Sequence, residues 1–460
     1  MRILDIFSKI AAIPHGSGNT KALSDFCLAY AKKRGYQARQ DRWNNCLIRV
    51  PASPGREDRP AVILQGHLDM VCEKEPGLQH DFLKDGLQLV RRGDDLLARG
   101  TTLGGDDGIA IAYCLALLEE KELPHPPLEL FFTADEETGM DGARGFDPAW
   151  LKGRRLLNLD SEEEGVFIVS SAGGRCVTGR LPLQRERCGL PVYQIIVEGL
   201  QGGHSGSEIH RGRANANILL GKILAGLPCR LIEAEGGLKN NAIPREARAL
   251  VAMETPVDAP ALTALFRREY EEREPDLQIR VATATADEML EESCSKQAIA
   301  LLSSLPDGVA EMSGEINGLV ETSSNLGVLK TERDFLKLTV SIRSMKNTGR
   351  DTHTGLLTTL MEQNGALTEV EEGYPAWEYR KESALRETLA EAYAEIYGAA
   401  PKMVALHAGL ECGIFASKLP GLDAVSIGPD IRDIHTTRER LSVSSAVRTW
   451  ELLKLTLEKL

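Results

Sequence analysis

The segment AVILQGHLDM at residues 61–70 joins a short apolar run to a His-x-Asp pair. Residues Ala61–Leu64 have the length and β-branched content of a buried strand, and Gly66 marks where the strand ends. In an extended chain, residues two apart point to the same side, so the side chains of His67 and Asp69 share one face. An imidazole and a carboxylate at this spacing can serve one divalent cation, one as ligand and the other as its orienter. A surface loop is the competing interpretation of so short a motif.

A glycine-bracketed acidic loop comes next along the chain. The loop TTLGGDDG at 101–108 leads into the apolar segment Ile109–Leu118, which predicts a helix. Aspartate is a favoured helix N-cap, so Asp106 and Asp107 could divide the work, one as cap and the other as cation ligand. Either role fits this stretch on its own.

Three consecutive carboxylates follow an aromatic strand. The segment FFTADEETG at 131–139 places Asp135, Glu136 and Glu137 directly after the strand. A run of charge is often a solvated face. Adjacent carboxylates at a strand end can instead split their roles, one coordinating an ion while its neighbour activates a water molecule.

Two more residues complete the candidate set. The apolar strand LLNL at 156–159 ends at Asp160, and the segment DIHT at 433–436 supplies His435. The whole set is His67, Asp69, Asp106, Glu136, Glu137, Asp160 and His435. This mixed nitrogen and oxygen set exceeds the about four ligands that one tetrahedral zinc ion takes. A carboxylate that bridges two ions is the simpler interpretation, and ion pairs about 3.5–4 Å apart recur in aminopeptidases, phosphatases and nucleases.

The order of predicted elements indicates two domains. Strands alternate with helices in the first part, which predicts an α/β fold with a mostly parallel sheet, whose ligands collect at the carboxyl ends of the strands. A looser order from Cys188 onwards is typical of an α+β insert. We therefore predict a catalytic domain at 1–187 and 379–460, interrupted by a lid domain at 188–378. Predicted strands of the catalytic domain include Cys46–Val50, Ala61–Gln65, Leu128–Thr133, Arg155–Leu159 and Ala424–Ile427.

The composition narrows the class of protein. The chain has 460 residues, of which 42% are hydrophobic and 26% charged, as is ordinary for a globular protein of two domains. The formal net charge of −13 argues against nucleic acid as the main partner, since such a site needs a basic footprint. Nine cysteines without a CxxC pair indicate a reducing compartment, and the longest apolar run is too short to cross a bilayer. We expect a cytoplasmic protein with no membrane contact.

Eight segments of the chain resemble the co-catalytic zinc exopeptidases and, more closely, the aminoacylhistidine dipeptidases (Xaa-His dipeptidases, the carnosinase-like branch). The segments are GHLDMV (66–71), TTLGGDDGIA (101–110), ADEETGM (134–140), LLNLDSEEEG (156–165), GGHSGSEIHRGRANA (202–216), NAIPRE (241–246), HAGLECGIF (407–415) and SIGP (426–429). Because they extend from end to end, the resemblance does not depend on a single motif.

The resemblance implies a role for each candidate ligand. Asp106 would be the carboxylate that bridges both ions. His67 and Asp160 would complete one ion site, and Glu137 and His435 would complete the other.

The same resemblance implies two further roles, and the sequence differs from the family pattern at two positions. Asp69 would hold the His67 imidazole in its tautomer, and Glu136 would be the general base. Asp107 stands where an uncharged Asn is more usual, and His435 lacks the usual proline before a His-Ser pair.

The remaining candidates are three residues of the predicted lid domain and Glu411 of the predicted catalytic domain. The resemblance makes His204 the histidine that stabilises the tetrahedral oxyanion, although a glycine turn with a surface histidine is the alternative interpretation. Asn241 and Arg343 would hold the α-carboxylate of the substrate, which a guanidinium binds bidentately. Glu411 could meet a substrate amine or form a buried ion pair. His204 could act within one chain or across a lid-to-lid homodimer.

The sequence therefore predicts a dinuclear-metal dipeptidase with a small dipeptide as its substrate. A preference for Xaa-His (carnosine-like) dipeptides is implied by the resemblance alone. An N-acyl amino acid deacylase or an aminopeptidase with the same metal core is the nearest alternative, and a metal-binding or scaffold protein without turnover is the alternative from another class. Two divalent ions are expected, with zinc favoured, while manganese and cobalt accept the same ligands.

Overall fold

A computed structural model describes residues 2–460, apart from the side chain of Glu271. The α-helices are α1 (Arg2–Ala11), α2 (Lys21–Lys32), α3 (Gly105–Leu117), α4 (Glu136–Gly139), α5 (Asp141–Gly145), α6 (Ala216–Ala225), α7 (Ala259–Tyr270), α8 (Glu292–Ser304), α9 (Asn347–Gln363), α10 (Ala384–Tyr397), α11 (Glu411–Lys418) and α12 (Val443–Lys459). Short 3-10 helices lie at Pro148–Trp150, Ile209–Arg211 and Glu271–Arg273.

The strands of the first half of the chain are β1 (Gln37–Gln40), β2 (Cys46–Val50), β3 (Val62–His67), β4 (Leu89–Arg92), β5 (Asp95–Ala98), β6 (Leu128–Thr133), β7 (Arg155–Asn158), β8 (Val166–Ser171), β9 (Gly173–Pro182), β10 (Arg185–Arg187), β11 (Val192–Glu198) and β12 (Gly203–His204). Those that follow are β13 (Arg230–Gly236), β14 (Ala242–Ile243), β15 (Ala247–Ala252), β16 (Gln278–Ala284), β17 (Glu288–Leu290), β18 (Gly308–Met312), β19 (Val320–Thr331), β20 (Phe335–Ser344), β21 (Leu367–Val370), β22 (Lys402–Leu406), β23 (Asp423–Ser426), β24 (Ile431–Arg432) and β25 (Arg440–Ser442).

The chain forms two compact units. The first unit comprises the described residues up to Ser170 together with Tyr379–Ala405 and Glu411–Leu460, and the second comprises Ser171–Glu378 and Leu406–Leu410. The second unit begins before residue 188, where the sequence predicted the insert to start, because β9 pairs along its whole length with β20.

The first unit contains an eight-stranded sheet with the order β1-β2-β6-β3-β7-β23-β8-β22. Its centre is parallel, since β3 pairs in parallel with β6 and β7, and β7 with β23. The flanking strands β1, β2 and β8 pair antiparallel. The predicted α/β fold is confirmed, and three of the candidate ligands, His67, Glu137 and Asp160, lie at or just after the ends of its parallel strands.

Helix α3 packs against β3 and anchors the core of this unit. Every residue from Ile109 to Leu117 is buried, as expected for a helix that is apolar on all sides. The hydroxyl of Tyr113, in the middle of the helix, donates a hydrogen bond of 2.8 Å to the carbonyl oxygen of Ala446. Helix α3 therefore gives the loop before it a rigid base.

The second unit contains a nine-stranded sheet with the order β16-β11-β15-β13-β19-β20-β9-β21, and β18 pairs with β19. Its described strand pairs are antiparallel. Residues of α6, α8 and α9 complete its apolar core. This mixture of an antiparallel sheet and helices agrees with the predicted α+β insert.

No described helix combines the length and the apolar character needed to cross a membrane. The nine cysteines are all free thiols.

Candidate metal centre

The candidate ligands of the first unit lie where its central strands end. His67 is the last residue of β3, Asp160 follows β7 closely, and Glu136 and Glu137 begin α4 just after β6. Parallel strands bring their carboxyl ends to one edge of a sheet, so residues far apart in sequence meet there. Asp106 joins them from the loop at the start of α3.

The five predicted ligands come together around Asp106. Nε2 of His67 lies 3.0 Å from Oδ1 of Asp106 and 3.5 Å from Oδ1 of Asp160. Nε2 of His435 lies 3.3 Å from Oδ2 of Asp106 and 2.9 Å from Oε1 of Glu137. The two oxygens of Asp106 thus face different histidines, which is the arrangement that a bridging carboxylate requires.

These spacings fit metal coordination. Ligand atoms about 2.0–2.1 Å from a tetrahedral ion lie roughly 3.4 Å from one another. Potential ligand atoms within 4.8 Å of one another form the groups His67–Asp106–Asp160, His67–Glu136–Glu137 and Asp106–Glu137–His435. The first and last groups share Asp106, so the residues present suit two ions.

The tautomer of His67 also suits a metal ligand. Its Nδ1 lies 2.9 Å from the backbone carbonyl oxygen of Asp69. Because a carbonyl oxygen only accepts, this contact places the proton on Nδ1 and leaves the lone pair of the neutral ring on Nε2, toward Asp106 and Asp160.

The pKa values of three of the clustered side chains are raised, which shows that the cluster favours added positive charge. Burial, followed by repulsion from Asp106 and Glu137, raises the pKa of Asp160 to about 7. The hydrogen bonds to Asp106 and Glu137 raise the pKa of His435 to about 10. Burial opposes the protonation of His67, but the Asp160 charge and the contact with Asp106 outweigh it and raise the pKa of His67. Without metal, the crowded carboxylates favour bound protons. Divalent cations would supply that positive charge instead.

The Asp69 side chain holds the segment that carries the two glutamates. Its Oδ1 accepts a hydrogen bond from the backbone N–H of Glu136 at 2.9 Å, and its Oδ2 accepts one from the N–H of Glu137 at 3.2 Å. Ser17 donates its hydroxyl to Oδ2 at 2.8 Å. Asp69 Oδ1 also lies 3.5 Å from Nδ1 of His67, farther than the carbonyl oxygen of the same residue. Asp69 therefore touches both the imidazole and the glutamate segment.

Two non-glycine residues beside the ligands have left-handed backbones. Asp135, which precedes Glu136, has φ 57°, and His435 itself has φ 58°. Such conformations cost about 1–3 kcal/mol each and cluster at functional sites. The Asp106–Asp107 peptide bond is cis.

Neither aspartate of the loop caps helix α3, so the N-cap expectation was wrong. The N-cap position is Gly104, with φ 65° and no side-chain cap. Asp107 is 1% exposed, and its Oδ2 accepts a hydrogen bond of 3.1 Å from the backbone N–H of His67. Burial, followed by the charge of Asp160, raises the pKa of Asp107 well above its usual value. The raised pKa favours the uncharged form of Asp107, which resembles the amide that the family pattern led us to expect.

Glu411 is fully buried in the first unit, in contact with residues of β3 and β6. Its Oε2 accepts hydrogen bonds from Nε2 of Gln65 at 2.6 Å and from the hydroxyl of Thr133 at 2.7 Å. Its Oε1 is buried without a hydrogen-bond partner among the described residues. Burial raises the pKa of Glu411 to about 8. The carboxyl is held by neutral groups rather than by the lysine or arginine of an ion pair.

His204 lies in the second unit with its ring in a defined tautomer. Its Nδ1 accepts hydrogen bonds from the backbone N–H groups of Gly206 at 3.2 Å and Ser207 at 3.0 Å. The neutral ring therefore carries its proton on Nε2, which can donate a hydrogen bond. Burial, followed by the charge of Arg343, lowers the pKa of His204.

Arg343 belongs to the same cluster as His204. A Cβ added to Gly206 would lie 3.0 Å from both the Nε of Arg343 and the Cε1 of His204, and 2.4 Å from the carbonyl oxygen of His407. Arg343 is 9% exposed and donates from one terminal nitrogen to the hydroxyl of Tyr374 at 2.7 Å. Only a glycine at 206 leaves room for this convergence.

Asn241 joins this cluster through its backbone. The backbone N–H of Ser205 donates to its carbonyl oxygen at 2.9 Å, and the residue is exposed.

The sequence did not predict four residues that lie near the candidate metal ligands or near the cluster of His204 and Arg343. They are Ser17, Tyr374, His407 and Glu439. His407 stands in the motif HAGLECGIF but has no acidic neighbour in sequence that would suggest a role. In the structure, its Nε2 lies 2.8 Å from the hydroxyl of Ser323. Ser17 and Tyr374 lie in segments without any recognisable pattern. Glu439 is considered below.

Comparisons with known proteins identify relatives of this chain. The sequence model of peptidase family M20/M25/M40 matches residues 63–459 of this chain. The chain is 39% identical to a cytosol non-specific dipeptidase of Escherichia coli strain K12 over 462 aligned residues. The alignment covers 98% of this chain and 95% of the relative.

Solved structures extend the comparison. An aminoacylhistidine dipeptidase from Vibrio alginolyticus is 38% identical with a TM-score of 0.92, covering 99% of this chain and 96% of that one. An aminopeptidase from Bacillus cereus is 16% identical with a TM-score of 0.60, covering 100% of this chain and 98% of that one, and so shares the fold alone. The resemblance stated from the sequence is confirmed. This chain is a member of peptidase family M20/M25/M40.

Proposed function

We propose that the chain is a dinuclear-metal dipeptidase. The observation that carries the proposal is the placement of the two Asp106 oxygens, one beside His67 and the other beside His435. Membership of the peptidase family and the two dipeptidase relatives at 38% and 39% identity support the same activity.

The residues divide into two ion sites that share Asp106. His67 and Asp160 would hold one ion, and Glu137 and His435 would hold the other. Two divalent ions, with zinc favoured, supply polarisation of the scissile carbonyl and a nucleophile at neutral pH. The chain itself supplies the fixed geometry of the ligands and the groups that move protons.

Glu136 is the proposed general base. It adjoins the ligand Glu137, and one of its oxygens lies within 4.8 Å of ligand atoms of His67 and Glu137. Asp69 fixes the backbone of both glutamates, which keeps one available as ligand and the other for proton transfer. Glu136 would take the proton of the attacking water and return it to the leaving amine.

The second unit would supply the groups that bind the substrate. We propose that Nε2–H of His204 donates to the developing oxyanion and that Arg343 and Asn241 hold the α-carboxylate. The tautomer of His204 and the position of the Arg343 guanidinium beside it support these roles. Glu411 remains a candidate for contact with the substrate amine.

The experiment that tests the proposal is Glu136→Gln with Glu163→Gln as a matched control. Glu163 lies in the exposed turn after Asp160, and the same change of acid to amide is made there. We expect Glu136→Gln to bind as much metal as the unchanged protein while kcat falls about 10²–10⁴-fold, the usual contribution of a general base. Glu163→Gln should leave both unchanged. If Glu136→Gln turned over normally with its metal in place, Glu136 would not be the base.

The substrate class is tested with a panel of small amides. Xaa-His dipeptides, other dipeptides, N-acetyl amino acids and longer peptides would be incubated with the protein before and after treatment with chelator. We expect rapid release of amino acids from dipeptides, including Xaa-His, and loss of activity with chelator. Faster hydrolysis of N-acetyl amino acids than of any dipeptide would favour the deacylase instead.

Whether His204 acts within or across subunits can be settled by mixing two inactive variants, His204→Ala and Glu136→Gln. In a homodimer with His204 acting across subunits, a mixed dimer contains one complete site and regains activity. If His204 acts within its own chain, every mixture stays inactive.

We also propose a cytoplasmic location. Free cysteines at all nine positions and the cytosolic name of the Escherichia coli relative support this location. Fractionation of cells that express the protein would test it.

A further inference from the structure

Glu439 is a buried carboxylate that no catalytic role has used. It is 2% exposed and lies four residues after His435, next to β25. Its Oε2 accepts hydrogen bonds from the backbone N–H groups of Leu103 at 2.7 Å and Gly104 at 3.1 Å. Its Oε1 accepts from the N–H groups of Gly105 at 2.8 Å and Asp106 at 3.4 Å.

Four consecutive N–H groups converge on this carboxylate because of the loop before α3. Leu103 and Gly104 precede α3, and the backbone of Asp106 is not helical, so these N–H groups belong to the loop and not to the hydrogen-bond ladder of the helix. Gly104, at φ 65°, turns the chain so that successive N–H groups point to one side and form an anion-binding concavity. A Cβ on Gly105 would lie 3.3 Å from Oε1 of Glu439, so the loop is built closely around the carboxylate.

The same residue is tied to the turn that carries the second histidine. The backbone N–H of Glu439 donates to the carbonyl oxygen of Thr436 at 3.1 Å, within the turn that follows His435. Glu439 therefore connects two segments distant in sequence, one that presents Asp106 and one that presents His435.

We propose that Glu439 is a positioning residue that fixes the Asp106 carboxylate between His67 and His435, so that both ion sites form together. This inference rests on the proposed dinuclear centre. Every donor to Glu439 is an N–H group, so the side chain acts there only as an acceptor. Burial and the charge of Asp106 raise the pKa of Glu439 to about 7, and the N–H donors oppose this rise.

Glu129 provides a matched control for a merely structural role. It is 4% exposed, lies in the same unit, and likewise accepts backbone N–H groups, from Lys152 at 2.9 Å and Gly153 at 2.9 Å. It belongs to β6 but lies toward the start of that strand, away from the ligands at its other end.

The experiment compares Glu439→Gln with Glu129→Gln. Glutamine keeps one acceptor oxygen but turns its NH₂ group toward two backbone N–H donors. We expect Glu439→Gln to lose metal to a competing chelator at least tenfold more readily and to show a 10–100-fold lower kcat with KM little changed, as for other groups that orient metal ligands. Excess zinc should restore part of the kcat. Glu129→Gln should lower the unfolding temperature of the metal-free protein while metal affinity and kcat stay at the level of the unchanged protein.

A second variant covers the case in which Glu439→Gln does not fold. Gly105→Ala adds a methyl group against Oε1 of Glu439 and should weaken metal binding in the same direction. Unchanged metal affinity and kcat in Glu439→Gln, or in Gly105→Ala if that variant replaces it, would overturn the inference. Equal losses in Glu129→Gln would also do so. Failure of the unchanged protein to bind two ions would count against the proposed function instead.

Discussion

Replacing Asp69 by asparagine tests how firmly the glutamate segment must be held. The carboxylate accepts hydrogen bonds from the N–H groups of Glu136 and Glu137 and from the hydroxyl of Ser17. Asparagine has the same shape but only one acceptor oxygen. Whichever way the amide turns, its NH₂ group faces the N–H of one glutamate.

The magnitude follows from the bond that is lost. A hydrogen bond to a charged group contributes about 1.5–3 kcal/mol. If the loss falls on the geometry of the metal centre, about 1.4 kcal/mol for each factor of ten converts it to roughly 10–100-fold in kcat or in metal affinity. The lower end applies if the Ser17 hydroxyl turns to accept a hydrogen bond from the amide.

The assay measures kcat, KM, metal content and the unfolding temperature of the metal-free protein. Ser17→Ala serves as the graded control, because it removes one donor to Asp69 and leaves the carboxylate charged; we expect less than a tenfold effect from it. A kcat for Asp69→Asn within twofold of the unchanged protein, with normal metal content, would refute the argument that Asp69 holds the glutamates.

Three further predictions concern stability. Burial, followed by the charge of Arg343, lowers the pKa of His407 from its usual 6.5 to about 3, so the unfolded chain binds a proton that the folded chain does not. Stability should therefore fall as the pH falls from 7 toward 3, by about 2 kcal/mol at pH 5, and His407→Gln should remove this part of the slope in denaturant titrations. Tyr113→Phe should cost about 1 kcal/mol in the same titrations, because the bond to the Ala446 carbonyl is lost. Gly428→Ala should cost about 3 kcal/mol or prevent folding, because the added Cβ would lie 1.6 Å from the carbonyl oxygen of Ser161.

The central strands could be predicted from the sequence because their pattern is local. Cys46–Val50 and Leu128–Thr133 have the bounds that were predicted, since both are short apolar runs rich in residues that favour strands. The predicted strand at Ala61–Gln65 instead runs from Val62 to His67. It continues through Gly66 because β6 pairs with Gly66 and His67, whereas the pairing with β7 ends at Gln65. A neighbour that the sequence does not reveal extended this strand.

The meeting of the candidate ligands could be predicted because the ends of neighbouring parallel strands lie at the same edge of a sheet. Once β3, β6 and β7 are parallel neighbours, the acids that follow them must meet at one edge of the sheet. No such rule predicts the partners of Asp69 or Arg343. Ser17 and Tyr374 approach them through loops whose paths depend on tertiary packing. The limits of the second unit are equally non-local, because they depend on which distant strand pairs with β9.

The suggestion that an aspartate caps helix α3 was wrong, and the loop before the helix shows why this matters for the proposed metal centre. The sequence left open whether Asp106 or Asp107 caps helix α3 or binds a cation. A capping carboxylate turns back toward the N–H groups of its own helix. Neither aspartate caps the helix, and Glu439, from the far end of the chain, accepts the N–H groups of the loop from Leu103 to Asp106. Glu439 thus holds the loop, and the side chain of Asp106 faces His67 and His435. We therefore expect the proposed bridging geometry at Asp106 to depend on Glu439, which lies outside the proposed ligand set.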